Sequence, residues 1–259
     1  LLSRMPITKK YKKIVIGNWK ENPNTREASK NIIKNVKKVA SQLKKTITVL
    51  CPPFVFLSEL GKGEQPYSKG AQDVSVFEAG SHTGEVSAEM LRDCEVEYTI
   101  VGHSERRKMG ETDAMVANKI NALHFAGVTA VMCIGEDRRD SGGQYLDTLK
   151  NQIKHSLAGV EKKNLSHLVV AYEPVWAIGA TQAMSPGDVH ETTLFIKKTL
   201  ADLFGHEYVT KVPILYGGSV TFRNAGEIVE EGHVDGLLVG RESINPEGFN
   251  EILKVVDAL

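Results

Sequence analysis

The stretch Leu168-Val169-Val170-Ala171-Tyr172-Glu173-Pro174 decides the fold class. Its first four residues are continuously apolar rather than alternating, the pattern of a strand buried on both faces, as in a parallel sheet covered by helices. The run ends on an acid placed directly before a proline. Pro174 fixes its own φ and pushes Glu173 toward extended backbone. The carboxylate therefore stands at the C-terminal end of a strand with little backbone freedom. Trp176, Ile178 and Gly179 follow. Connections are usually polar, so two large apolar side chains here suggest a segment that closes over something. An acid beneath an apolar flap suits a buried general base. Taken alone, a strand end followed by a packed turn fits the same residues equally well.

Seven further runs resemble this one. They lie at 14–16, 47–51, 69–74 (the weakest), 98–101, 128–133, 213–216 and 235–239. Helical patterns fall between them. Ile32, Ile33, Val36, Val39, Ala40 and Leu43 share one face of a helix predicted over 25–43. Others are expected near 54–60, 87–93, 113–125, 145–158, 186–204, 223–230 and 246–256. Eight strand-then-helix units with right-handed crossovers predict an α/β fold, an eight-stranded parallel (β/α)8 TIM barrel. A doubly wound open sheet is the alternative. It would want Gly-x-Gly-x-x-Gly after the first strand, and Gly17-Asn18-Trp19-Lys20 does not supply it. Without a linker or shift in composition, 13–259 reads as a single barrel domain, and 1–12 as a flexible N-terminal extension.

Composition narrows the function. The 259 residues are 41% hydrophobic and 25% charged, which excludes a disordered chain. Lys plus Arg and Asp plus Glu each number 32, leaving no net charge. Neither nucleic acid nor an anionic membrane is favoured as a partner; a local cationic site for a small anion is still allowed. Cys51, Cys94 and Cys133 match no metal spacing and read as free thiols of a reducing compartment. There is no apolar run of about 18 residues to span a membrane and no signal-peptide core in 1–13. The expectation is a cytoplasmic enzyme.

In a parallel barrel the chemistry gathers just after the strands, and reactive residues collect there. Asn18 and Lys20, two residues apart, share a strand face after the first run and could hold an anionic substrate, although a lone strand-end lysine is more often a solvated charge. His103 follows the fourth run, between Gly102 and Ser104, with Ser104 read as the helix N-cap. A helix N-terminus disfavours imidazolium, so His103 is expected to be neutral, able to donate one hydrogen bond to a carbonyl oxygen. Glu105 reads either as a first-turn charge or as a partner of Lys20. Gly217-Gly218-Ser219 and Gly240 place backbone N–H groups in the seventh and eighth loops, the usual phosphate site of a barrel. Cys133 reads as structural, and the other seven histidines as packing or surface residues.

Together, Asn18-Trp19-Lys20, Val101-Gly102-His103-Ser104-Glu105-Arg106-Arg107, Cys133-Ile134-Gly135-Glu136, Ala171 to Gly179 and Tyr216-Gly217-Gly218-Ser219-Val220 resemble the triosephosphate isomerase family. Gln72 and Thr83-Gly84-Glu85-Val86-Ser87 match its third loop. The resemblance covers roughly 14–256. It implies an isomerase of glycolysis and gluconeogenesis that acts on a small phosphorylated triose, with no metal and no cofactor. Glu173 would be the base and His103 the electrophile, with Lys20 and Asn18 stabilising an enediolate. Backbone N–H groups of Gly179, Ser219, Gly240 and Arg241 would hold the phosphate, with Glu105 and Thr83 in support. A homodimer is implied, Thr83 reaching toward the partner's site. Three positions depart from the family: Glu21 at the expected interface, Ala180-Thr181-Gln182 at the flap's far hinge, and Arg241 where glycine is common. A Schiff-base aldolase and an inactive phosphate-binding scaffold are the competing readings. The first would need a buried strand-end lysine, and the second fits poorly with four chemical residues retained.

Overall fold

The computed structural model describes residues 13–140, 142–179 and 183–259. Expectations for 1–12 and for the hinge 180–182 lie outside the described residues. Strands β1 (Lys13–Asn18), β2 (Thr46–Cys51), β3 (Ser68–Ala71), β4 (Tyr98–Val101), β5 (Thr129–Ile134), β6 (Leu168–Tyr172), β7 (Ile214–Tyr216) and β8 (Gly236–Val239) close in chain order into one barrel. Every pairing is parallel, and β1 pairs with both β2 and β8: Ile14 stands opposite Ile47 on one side and Gly236 on the other.

The helices follow in order: α1 (Arg26–Ala40), α2 (Ala88–Asp93), α3 (Ser104–Lys108), α4 (Asp113–Ala126), α5 (Gln144–Ser156), α6 (Pro186–Phe204), α7 (His206–Val209), α8 (Ala225–Glu231) and α9 (Pro246–Ala258). Their starts obey capping chemistry. The Thr25 hydroxyl accepts the Ala28 N–H at the start of α1, and the Ser185 hydroxyl accepts that of Asp188 ahead of Pro186. Among the described residues no helix is long and apolar enough to cross a membrane.

Two packed cores result. The larger lies between strands and helices, where Ile32, Ile33, Val36 and Ala40 of α1 and Ile252, Leu253 and Val256 of α9 are buried. The smaller fills the barrel. It comprises Ile14, Ile16, Val49, Cys51, Tyr98, Ile100, Val131, Cys133, Val169, Ala171, Leu215 and Leu238, alternate residues along their strands. Strand parity then places the chemistry. One step of two beyond Ile16, Ala171, Leu215 and Leu238 lie Asn18, Glu173, Gly217 and Gly240, at the C-terminal mouth.

Some boundaries differ from the sequence reading. β3 runs over Ser68–Ala71 and leaves Gln72 to Val74 outside it. α8 begins at Ala225, because Asn224 folds back to accept the Thr221 N–H at 2.8 Å. α3 is capped by His103 and not by Ser104: the His103 ring nitrogen Nδ1 accepts the Glu105 N–H at 3.2 Å.

Candidate active site

Lys20 leaves β1 with φ of 55°, left-handed backbone that costs a non-glycine residue about 1 kcal/mol. Polar groups hold it there. Asn18, itself buried, accepts the Lys20 N–H on Oδ1 at 3.1 Å. The Gln72 amide donates to the carbonyls of Lys20 and Cys51, at 2.8 and 2.9 Å. Ser243 Oγ lies 3.0 Å from the Asn18 carbonyl. Lys20 Nζ ends 2.6 Å from Glu105 Oε1, so the pairing considered from sequence is present. Gln72 had drawn notice only as a family match; its position just past β3 carries no local signal of this contact.

Glu173 and His103 are both 4% exposed, and Nε2 of the ring lies 3.1 Å from Oε1 of the carboxylate. The second carboxylate oxygen, Oε2, is buried with no hydrogen-bond partner among the described residues. Glycines shape this corner. A Cβ at Gly217 would stand 2.6 Å from Glu173 Cγ, and one at Gly135 would overlap the Glu173 carbonyl oxygen. One at Gly218 would overlap the Tyr216 hydroxyl. Packing alone therefore demands the Gly217-Gly218 pair, whatever else its N–H groups do.

The His103 loop is held from behind. Gly102, at φ +70°, donates its N–H to Glu111 Oε2 at 3.0 Å and accepts from Arg107 Nε at 2.7 Å. Glu111 is itself buried against Lys119, which reaches Asp73 at 2.6 Å. Sequence reasoning missed this cluster, in which Glu111 and Lys119 follow the His103 loop and Asp73 joins them from the third loop.

Charge in the pair follows from this geometry. Burial is the largest influence on Glu173 and pushes its pKa up. The His103 charge and hydrogen bond, then the Cys133 thiol and Lys20, reverse it and hold the carboxyl below its ordinary 4.5. Burial likewise works against a charge on His103, but the Glu173 carboxylate lifts the ring above its ordinary 6.5. The expectation of a neutral ring is thus opposed in this state by Glu173. Supporting it, the Glu105 N–H aimed at Nδ1 requires a bare nitrogen there, which leaves the proton on Nε2.

The flap that opens at Pro174 is tied to the barrel rim. Glu136, 1% exposed, accepts on Oε1 from the Tyr172 hydroxyl and Trp176 Nε1, both at 2.9 Å, and from Arg139 Nε at 3.2 Å. The indole, read from sequence only as an apolar side chain of the flap, thus also donates a hydrogen bond to a buried carboxyl group. Glu136 stands in the sequence reading only within the Cys133-Ile134-Gly135-Glu136 family match, with no role assigned to it.

One cavity of about 330 Å³ joins these parts. Asn18, Lys20, His103 and Glu173 line it together with Gly179, Ser219, Gly240 and Arg241. Glu105 lies behind Lys20 and outside the lining. Thr83 is exposed in the third loop, where Phe77 stacks on His82 at 4.0 Å, and takes no part in this chain's cavity. Such a cavity brings a base and a hydrogen-bond donor together with backbone donors suited to an anion.

Comparison with known proteins gives the same picture from sequence similarity. A family model described as triosephosphate isomerase matches residues 13–256. The chain is 40% identical to a triosephosphate isomerase of Thermus thermophilus, covering 93% of this chain and 98% of the relative. It is 38% identical to one of Thermoanaerobacter pseudethanolicus, with the same coverage. With one of Mycobacteroides abscessus the identity is 40%, over 93% of this chain and 95% of the relative.

Proposed function

We infer the chemistry from one premise: the chain belongs to the triosephosphate isomerase family. It is an isomerase that interconverts dihydroxyacetone phosphate and D-glyceraldehyde 3-phosphate, a reaction of glycolysis. In our reading Glu173 removes a proton from the carbon beside the carbonyl, and the C–H electron pair moves to form the enediolate. Nε2–H of His103 donates to the carbonyl oxygen as charge develops there and carries a proton between the two oxygens. The Lys20 ammonium and the Asn18 amide stabilise the oxyanion in a site poor in water. Glu173 then returns its proton to the neighbouring carbon, so no atom is gained or lost. The substrate takes the place of the direct Glu173–His103 contact, which leaves the carboxylate as base and the ring as donor. N–H groups of Gly179, Ser219, Gly240 and Arg241 receive the phosphate. Closure of the flap from Pro174 excludes water and protects the intermediate.

The observation that carries this reading is a buried carboxylate and imidazole 3.1 Å apart in the same cavity as Lys20. A coupled assay supplied with D-glyceraldehyde 3-phosphate tests it. Rapid formation of dihydroxyacetone phosphate is expected. No turnover, or turnover only with aldol cleavage products, would refute it. An ammonium already paired with Glu105 also speaks against an aldolase that needs Lys20 as a free nucleophile.

Residues 13–259 act as one domain in this proposal, because the site draws on loops after β1, β4, β6, β7 and β8. The third loop, with exposed Phe77 and Thr83, supports a homodimer in which it reaches the partner's site. Light scattering on the purified protein would show twice the chain mass. Three unpaired cysteines are compatible with a cytoplasmic location.

A further inference from the structure

We propose that the guanidinium of Arg241 is itself a phosphate ligand, so that this chain grips the anion with a side-chain cation as well as with backbone N–H groups. The proposal rests on the cavity being the triose phosphate site.

Arg241 follows β8 directly, and its side chain reaches toward the flap. Its Nη2 comes within 3.6 Å of where a Cβ on Gly179 would stand. The guanidinium therefore bridges the mouth of the cavity, from the eighth loop toward the flap. Both ends of that bridge, with Ser219, line the cavity.

Charge accounting singles it out. The cavity's lysine, Lys20, is already paired with Glu105 at 2.6 Å. Arg241 has no acid partner among the described residues. Its neighbour Glu242 does not neutralise it, because the Glu242 carboxylate turns toward Asn245, 3.3 Å from Nδ2. An incoming dianion thus meets one full cation with no acid partner among the described residues. A guanidinium suits that role, since its planar fork can present two parallel N–H donors to two phosphate oxygens. Because the same side chain also approaches Gly179, anion binding and the position of the flap are joined through one residue. The consequence is a stronger preference for phosphorylated over unphosphorylated substrate than backbone N–H groups alone would give.

The test compares Arg241→Gly and Arg241→Lys with the unmodified enzyme. Three quantities are measured: KM for D-glyceraldehyde 3-phosphate, the inhibition constant of inorganic phosphate, and kcat/KM for D-glyceraldehyde, which lacks the phosphate. Arg241→Gly should raise the KM and the phosphate inhibition constant about tenfold, the usual effect of losing a charge-assisted hydrogen bond. Its loss on D-glyceraldehyde should be several-fold smaller, and Arg241→Lys should recover part of the difference. An inhibition constant within twofold of the unmodified value overturns the proposal. So does an equal loss on both aldehydes, which would mark a structural role. If inorganic phosphate does not compete with substrate on the unmodified enzyme, the assignment of the cavity fails first, and the proposal with it.

Discussion

Replacing Gly217 by alanine probes how tightly the base is held. The added Cβ would stand 2.6 Å from Glu173 Cγ and 3.4 Å from both Cδ and Oε1. Carbon atoms in contact prefer about 3.5–4.0 Å, so the Glu173 side chain must yield by about 1 Å. It has little room to do so. His103 Nε2 lies 3.1 Å from Oε1, and Gly135 packs on the Glu173 backbone. Displacing a reacting group by about 1 Å costs about 100-fold in rate, and overpacking a core costs about 1–3 kcal/mol. Gly217→Ala should therefore fold with a melting temperature lowered by roughly 2–10 °C. Its kcat should fall about 100-fold while KM stays within a few-fold, as read in the coupled isomerase assay and a thermal melt. A folded variant with kcat within threefold of the unmodified enzyme would show that this contact does not set the position of the base.

Other perturbations test other parts of the site. Lys20→Ala should fold normally and lose nearly all turnover in the same assay; an active variant would remove Lys20 from charge stabilisation. Gln72→Ala releases the Lys20 carbonyl and the strained backbone it restrains. It should lower kcat about tenfold, on the scale of one lost hydrogen bond to a positioned group, and kinetics indistinguishable from the unmodified enzyme would refute the restraint. The His103–Glu173 pair predicts a pH dependence. His103 is raised above its ordinary 6.5, so its share of stability is complete below that value and is lost as pH rises through the raised one. Glu173 is depressed below 4.5, so its share is constant in that window and is lost only at lower pH. The difference in melting temperature between the unmodified protein and Glu173→Gln should accordingly shrink from pH 6 to pH 8; a constant or growing difference would refute the coupling.

Where the chain punctuates itself, the sequence reveals its fold. α6 runs over Pro186–Phe204 as expected because Ser185 and Pro186 start it and Gly205, at φ +99°, ends it. β6 is legible because a double-faced burial needs an unbroken apolar run. β3 is the weakest signal for a physical reason. A Cβ at Gly70 would meet Cys51 Sγ and Val49 inside the barrel, so the position cannot carry the large residue that marks a strand. α3 and α7 span single turns, too short for periodicity to appear. His103 as a helix cap escaped notice because capping preferences favour short hydroxyl and amide side chains.

At the site, residues on strand ends could be read from order along the chain: Asn18, Lys20, His103, Glu173 and Gly240 all line the cavity. What could not be read were groups that act across the fold. Glu111 supports Gly102 from nine residues away, and Glu136 meets Trp176 forty residues on. Neither has a local pattern to announce it. Arg241 was identified as a position, but the direction of its side chain is a tertiary fact.

Whether Glu173 is the base is tested most directly by hydrogen exchange at the substrate carbon. Dihydroxyacetone phosphate is incubated in D2O with the unmodified enzyme or with Glu173→Gln, and deuterium at the carbon bearing the hydroxyl group is followed by NMR. Incorporation is expected with the unmodified enzyme and almost none with Glu173→Gln, the fold of the variant being checked by its thermal melt and its phosphate binding by inhibition with inorganic phosphate. Deuterium entering at equal rates with both would show that another group takes the proton.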